Sequence, residues 1–197
     1  MPRQASLTRN THETQIELSL NLDGGPIQLN TGVGFFDHML HHIAKHGRLG
    51  LIVQATGDTH IDDHHTVEDT GLTLGQALKD ALGDKRGIER YGSAAIPMDE
   101  TLARVALDLS GRPHLVYHAQ YQSFGDDPAS IGRFDVQLVQ EFFQAVANAA
   151  AMNLHIEVPW GTNNHHIAEA IFKAFGRALR DAVAITHTEI PSTKGSL

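Results

Sequence analysis

A five-residue pattern, His-His-x-x-Glu, occurs twice in this chain, at His64-His65-Thr66-Val67-Glu68 and at His165-His166-Ile167-Ala168-Glu169. Sliding the chain by 101 residues superposes these copies. It also superposes Gly75-Gln76-Ala77-Leu78-Lys79-Asp80-Ala81-Leu82 on Gly176-Arg177-Ala178-Leu179-Arg180-Asp181-Ala182-Val183. A slide of 87 superposes Glu13-Thr14 on Glu100-Thr101, and Leu20, Leu22, Gly24 and Pro26 on Leu107, Leu109, Gly111 and Pro113. A repeat this long constrains the fold strongly, because whatever the first half forms the second must form again. The two offsets imply an insertion of about 14 residues in the second half. The segment Tyr121 to Ile131, with Gly125-Asp126-Asp127-Pro128, is its candidate.

Each half reads in one order. An alternating strand comes first, Gln15 to Leu22 or Leu102 to Leu109, followed by a Gly/Pro turn and a second strand. A helix follows, Phe35 to His46 or Phe134 to Ala150, then a β-rich run, Arg48 to Ala55 or Asn153 to Val158. The last helix opens at the His-His pair and runs to about Leu82 or Ala184; Ile167, Ile171, Phe175 and Leu179 give it an apolar stripe. This predicts an α+β fold of internally duplicated ββαβα half-units, sheets with helices packed on one face. One pseudo-symmetric domain is expected over residues 1–197, with half-repeats at about 1–92 and 93–190 and a tail at 191–197.

Composition narrows the function. The net charge of −8 argues against a general nucleic-acid scaffold, so an anion would need a local cluster of Lys and Arg. There is no Cys, hence no disulfide framework or thiolate metal site, which fits a cytoplasmic setting. Met1-Pro2-Arg3-Gln4 carries no apolar signal core, and no apolar run approaches a membrane span. The unusual count is 14 His.

On a helix the His-His-x-x-Glu spacing groups imidazole and carboxylate at i, i+4 and i+1, i+4, while the adjacent His point about 100° apart. Each copy can therefore offer ligands in two directions, and two copies suggest two metal ions. Imidazole with carboxylate and no sulfur suits Zn, Fe, Ni and especially Mn. The plainer reading, solvated helix starts capped by Asp62-Asp63 and Asn163-Asn164, competes for either copy alone but weakens for a matched pair. A second cluster, Asp37 to His46, puts His38, His42 and His46 on one helical face; in the second half Glu141 stands near where His38 stands in the first. Arg86, Arg90, Arg112 and Lys194 are candidate anion binders. Glu13 is a candidate acid/base carboxylate, although its repeat partner Glu100 suggests a turn role for both. His60, His114, His118, His155 and His187 read as structural or exposed.

Together, Phe36-Asp37-His38-Met39, Asp63-His64-His65-Thr66-Val67-Glu68-Asp69, Ser110-Gly111-Arg112-Pro113, Asn164-His165-His166 with Glu169, and Pro191-Ser192-Thr193-Lys194-Gly195 resemble the imidazoleglycerol-phosphate dehydratases. The resemblance runs from Arg3 to Gly195. It implies a fold of the ribosomal protein S5 domain 2-like type. The implied reaction is manganese-dependent dehydration of imidazole glycerol phosphate to imidazole acetol phosphate in histidine biosynthesis. The ring would be held as a metal-bound imidazolate and pass through a diazafulvene-like intermediate.

The resemblance also implies two Mn²⁺ per active site. One would take His64, Glu68 and His166, with Glu141 where some relatives carry a His; the other would take His38, His65, His165 and Glu169. Glu13, Glu68 and Glu169 would be the catalytic carboxylates. Glu13, His38, His42, His46, Arg90, Arg112, Ser192, Thr193 and Lys194 would meet the substrate. A cage-like homo-oligomer of 24 subunits, with active sites where subunits meet, is implied as well; neither nucleic acid nor membrane is an expected partner. Two other classes stay open on the residues alone: a His-rich metal store, and a two-metal phosphate-ester hydrolase. The Arg residues and the Ser-Thr-Lys tail weigh against the first, and the His-dominated ligand set weighs against the second.

Overall fold

The structure is a computed structural model that describes residues 3–123 and 129–195. The heart of the expected insertion, Gly125-Asp126-Asp127-Pro128, lies outside the described residues, as do Met1, Pro2, Ser196 and Leu197.

Strand β2 (Thr14–Asn21) shows how the sheets arise. Thr14, Ile16, Leu18 and Leu20 are buried and Gln15 and Glu17 exposed, the two-residue period of a half-buried strand. It pairs antiparallel with β1 (Gln4–Asn10) and with β4 (Gly50–Gly57), while β3 (Ile27–Asn30) adds in parallel to β4. The order is β1-β2-β4-β3. The second sheet repeats it with β5 (Tyr91–Met98), β6 (Thr101–Asp108), β10 (Asn153–Trp160) and β7 (His114–His118), in the order β5-β6-β10-β7. The expected duplication is thus realised down to strand order and direction.

Two local expectations are corrected. Each half opens with one more strand, so the unit is βββαβα. The extra strands, Gln-Ala-Ser-Leu-Thr-Arg-Asn and Tyr-Gly-Ser-Ala-Ala-Ile-Pro-Met, lie at sheet edges and alternate only between exposed and half-buried, which leaves a weak apolar period. The second-half helix starts at Gln137 and not Phe134. Phe134–Asp135 is strand β9, paired with β8 (Ser130–Ile131) in a small hairpin beside the insertion.

The helices are α1 (Gly34–Gly47), α2 (His64–Leu82), α3 (Gln137–Ala150) and α4 (Asn164–Ala182). They pack across the repeat: α1 lies on α4 and α2 on α3. Helix α2 covers β1 and β2, and α4 covers β5 and β6, so the helices fill the space between the sheets. Equivalent glycines allow both crossings. A Cβ on Gly75 would lie 2.6 Å from the Val146 carbonyl oxygen, and one on Gly176 would lie 2.8 Å from that of Ile43. Phe36, Phe142, Phe143, Phe172 and Phe175, all fully buried, join α1, α3 and α4 in one aromatic core. Among the described residues no helix is long and apolar enough to cross a membrane.

This packing positions the chemistry. It brings the His face of α1 to the start of α4, and Glu141 of α3 to the start of α2.

Candidate metal and anion sites

The densest cluster lies between α1 and α4. Helical spacing of four stacks His38 under His42, and His165 under Glu169 and Lys173. His38 Nε2 is 3.2 Å and His165 Nε2 3.0 Å from Glu169 Oε2. His42 Nε2 is 3.4 Å from Glu169 Oε1 and 3.2 Å from His38 Nε2. Lys173 Nζ lies 2.5 Å from Glu169 Oε1. Burial alone would raise the buried Glu169 carboxyl, but the Lys173 ammonium and the His42 and His165 rings outweigh it and bring it down to about 2. Burial holds His42 down at about 4, against the pull of Glu169. His46, stacked 5.8 Å from His42, is lowered too, by burial and by Lys173 and Arg177. Two imidazole nitrogens facing one carboxylate can share a proton or a cation. His38, His42 and Glu169 are the one group of three potential ligands whose donor atoms come within 4.8 Å of each other among the described residues.

The two second-position histidines share a different device. His65 Nδ1 lies 3.0 Å from the Asp58 carboxylate, whose hydrogen bond raises the ring's pKa; its Nε2 points toward Glu13 at 3.7 Å. His166 Nδ1 lies 2.8 Å from Glu100 Oε2, with Nε2 toward Asp99 at 4.0 Å. A carboxylate on Nδ1 fixes the ring and presents the Nε2 lone pair outward, the usual support of a metal-binding imidazole. The Glu100 carboxyl sits far below its usual range. The His166 bond is the main cause, with help from the Asn163 and Thr162 amides. His64 lies 3.8 Å from Glu68 and lines a cleft of about 410 Å³ with Glu141, Asp62, Asp63 and Arg133.

Helix punctuation is real as well. Asn163 caps α4 by accepting the His165 and His166 amides, and Asp62 accepts the His64 amide. Asn164 instead bonds the Gln122 backbone through both its amide N and O.

The structure therefore splits the ligand sets expected from the resemblance. His38, His165 and Glu169 come together and take in His42, expected as a substrate contact. His65 stays with Asp58 and Glu13. His64, paired with Glu68, shares a cleft with Glu141 and not with His166. No single chain gathers either set of ligands among the described residues.

The expected anion binders do meet. Arg90, Arg112, Ser192, Thr193 and Lys194 line one cleft of about 680 Å³, joined by Lys79 and Lys85. The tail is held there through the Gly87 amide on Glu189 O and Arg90 Nη1 on Pro191 O. Arg90 is not a free fork: its Nε and Nη2 grip Asp108 at 2.6 and 3.0 Å. Lys85 is buried and donates to Leu109 O, and burial lowers its ammonium. Arg86 pairs with Asp84 and does not line this cleft. The five pattern-free histidines are exposed.

Sequence reasoning missed Asp58, Asp69, Asp108 and Lys173. Only Lys173 left a signal, its spacing of four from Glu169.

Comparison with known proteins identifies the family. A family model described as imidazoleglycerol-phosphate dehydratase matches residues 31–179. The imidazoleglycerol-phosphate dehydratase of Streptococcus mutans is 58% identical over 198 residues, covering 99% of this chain and 100% of the relative. That of Hydrogenovibrio crunogenus is 58% identical over 199 residues, with the same coverage. The crystal structure of the Staphylococcus aureus enzyme matches with a TM-score of 0.83 at 44% identity, over 93% of this chain and 99% of that one. The Pyrococcus furiosus structure matches with a TM-score of 0.84 at 34% identity, over 97% and 100%. With its duplicated βββαβα halves, paired His-His-x-x-Glu helices and basic tail cleft, the chain belongs to the imidazoleglycerol-phosphate dehydratases, hydro-lyases of histidine biosynthesis.

Proposed function

We propose that this enzyme dehydrates imidazole glycerol phosphate to imidazole acetol phosphate with two Mn²⁺ per active site, in a cytoplasmic cage-like homo-oligomer of 24 subunits. The observation that carries the metal reading is the convergence of His38, His42 and Glu169 within 4.8 Å. His165 sits on the same carboxylate oxygen. Imidazoles around an ionised carboxylate, without sulfur, fit a divalent cation of the Mn type. With Nδ1 occupied, His166 would offer Nε2 to one ion together with His64, Glu68 and Glu141, and His65 would offer its Nε2 to the ion of His38, His165 and Glu169.

Geometry supports a shared site. The tetrads open α2 and α4, whereas the anion cleft lies at the far ends of those helices, at Lys79 and at Arg90, whose amide bonds Ala182 O. At 1.5 Å per residue the separation is about 22 Å along α2 and about 24 Å along α4. A substrate about 10 Å long at ordinary bond lengths cannot reach both within one chain. The tetrads of one subunit thus serve the phosphate cleft of another, and the divided ligand sets are completed in the same way.

When bound, the cations supply positive charge that stabilises the ring's anionic form as a Lewis acid does. The chain's residues do the rest. Arg112, Ser192, Thr193 and Lys194 anchor the phosphate and so orient the glycerol carbons. Electron density from the ring expels the hydroxyl on the adjacent carbon, and Glu13 delivers the proton that lets it leave as water. The diazafulvene-like product has an acidic neighbouring C–H. Glu169, or Glu68 in the other half, takes that proton, giving the enol that tautomerises to the ketone.

The test combines metal-stripped enzyme, imidazole glycerol phosphate and added Mn²⁺. Ultraviolet-detected ketone that depends on Mn²⁺ is expected; release of inorganic phosphate would indicate a hydrolase. In Glu13→Gln, turnover should be lost with metal retained, and normal turnover would remove Glu13 from the mechanism. Cell fractionation and sedimentation check location and subunit number.

A further inference from the structure

The duplication gives each half a glutamate at the same turn, Glu13 before β2 and Glu100 before β6, and the structure treats them oppositely. Glu100 is saturated. Its Oε1 accepts the Thr101 hydroxyl at 2.9 Å and the Thr162 and Asn163 amides at 3.2 and 2.9 Å, and its Oε2 accepts His166 Nδ1 at 2.8 Å. The Glu13 carboxylate accepts no hydrogen bond among the described residues, and its side chain is 54% exposed.

Two of the four bonds differ because of two aspartates that the second half lacks. Asp58 lies in the loop between β4 and α2, residues 58–63, whose shorter counterpart between β10 and α4, residues 161–163, holds no Asp; Asp69 corresponds to Ala170 at the helix offset of 101. Each takes a partner that Glu100 holds in its own half. Asp58 accepts His65 Nδ1, the counterpart of His166 Nδ1. Asp69, nearly fully buried at the second turn of α2, accepts the hydroxyl of Thr14, the counterpart of Thr101, at 2.5 Å. Arg9 of β1 pairs with the other oxygen of Asp69 at 2.8 Å, which balances its buried charge. Thr14 would otherwise stand next to Glu13 with a buried hydroxyl in need of an acceptor, as Thr101 stands next to Glu100.

We propose that Asp58 and Asp69 are positioning residues that draw His65 Nδ1 and the Thr14 hydroxyl away from Glu13, leaving its carboxylate free for proton transfer, while Glu100 is locked into structure. The inference rests on the reading that Glu13 moves the proton. It explains how one ancestral turn glutamate became reactive in one half and structural in the other.

The Asp69 arm is directly testable. In Asp69→Ala, the released Thr14 hydroxyl turns to Glu13, so kcat should fall about tenfold or more, with KM and bound Mn²⁺ per chain near wild type. Thr14→Val removes the competing hydroxyl, so the Asp69→Ala, Thr14→Val double variant should recover most of the lost kcat. A purely structural role for Asp69 predicts that the double variant is as poor as Asp69→Ala or poorer, and that result overturns the proposal, as does unchanged kcat in Asp69→Ala. Should Asp69→Ala fail to fold, Thr14→Val alone decides: kcat within about threefold of wild type is expected, and a loss as deep as that of Glu13→Gln overturns it. If Glu13→Gln itself turns over normally, the underlying reading fails, whatever Asp69→Ala does.

Discussion

Arg90 grips Asp108 through both its Nε, at 2.6 Å, and its Nη2, at 3.0 Å, and its third nitrogen reaches the Pro191 carbonyl. One guanidinium therefore ties the end of β6 to the tail that carries Ser192, Thr193 and Lys194. This bond to Asp108 also holds the Arg90 pKa above its usual value.

Breaking that tie should loosen the tail more than it alters the chemistry. Arg90→Ala and Asp108→Ala are each expected to raise KM for the phosphate substrate by about 10- to 100-fold, with a smaller fall in kcat. Both groups are mostly buried, so each variant should also lose about 2–3 kcal/mol of stability. Steady-state kinetics and urea unfolding check both figures.

The helix crossings predict a reversal of an ordinary rule. Gly to Ala inside a helix normally stabilises by up to about 1 kcal/mol. At Gly75 and Gly176 the added Cβ would meet backbone carbonyl oxygens at 2.6 and 2.8 Å, atoms that cannot move without shifting α3 or α1. Gly75→Ala and Gly176→Ala should each destabilise by about 1–3 kcal/mol. Thermal unfolding of each variant measures the sign.

The metal-free protein should weaken in mild acid. The folded-state pKa of His42 is about 4, below its ordinary 6.5, because burial disfavours the charged ring. Between those values the unfolded chain binds more protons than the native one. Stability is therefore highest above pH 6.5 and falls as pH drops toward 4, by on the order of 2 kcal/mol. His42→Phe should flatten this slope, as read by unfolding midpoints at pH 7 and pH 4.5.

Removing divalent cations should cost stability as well as activity. A cation bound to the native ligands alone stabilises by about 2.7 kcal/mol at a hundred times its dissociation constant. A chelator is thus expected to lower the melting temperature, and Mn²⁺ to restore it. In Glu169→Gln or His38→Ala that restoration should shrink, as scanning calorimetry would show.

The repeated His-His-x-x-Glu pattern was legible because helical spacing is local: residues four apart must meet, whatever surrounds them. The main strands, the four helices and the duplication were legible for the same reason, through periods of two and near four. The edge strands β1 and β5 were not, since partial exposure on both faces blurs the apolar alternation. The start of α3 was misread because Phe134 is buried through a two-residue hairpin and not through a helix.

The sequence by itself determined which residue types the site uses, the ββαβα core of each half, and the basic tail. Only the tertiary structure decided their partners. That α1 packs on α4 and α3 on α2 is a choice between surfaces more than 50 residues apart in the chain, set by glycine crossings and one shared aromatic core. Through it His42 joins Glu169, Glu141 faces His64, and the tetrads lie a helix length from the phosphate cleft. Local spacing names no partner for Asp58 or Asp69. Their hydrogen bonds, made across the chain's folding and not along it, are what separate a free Glu13 from a bound Glu100.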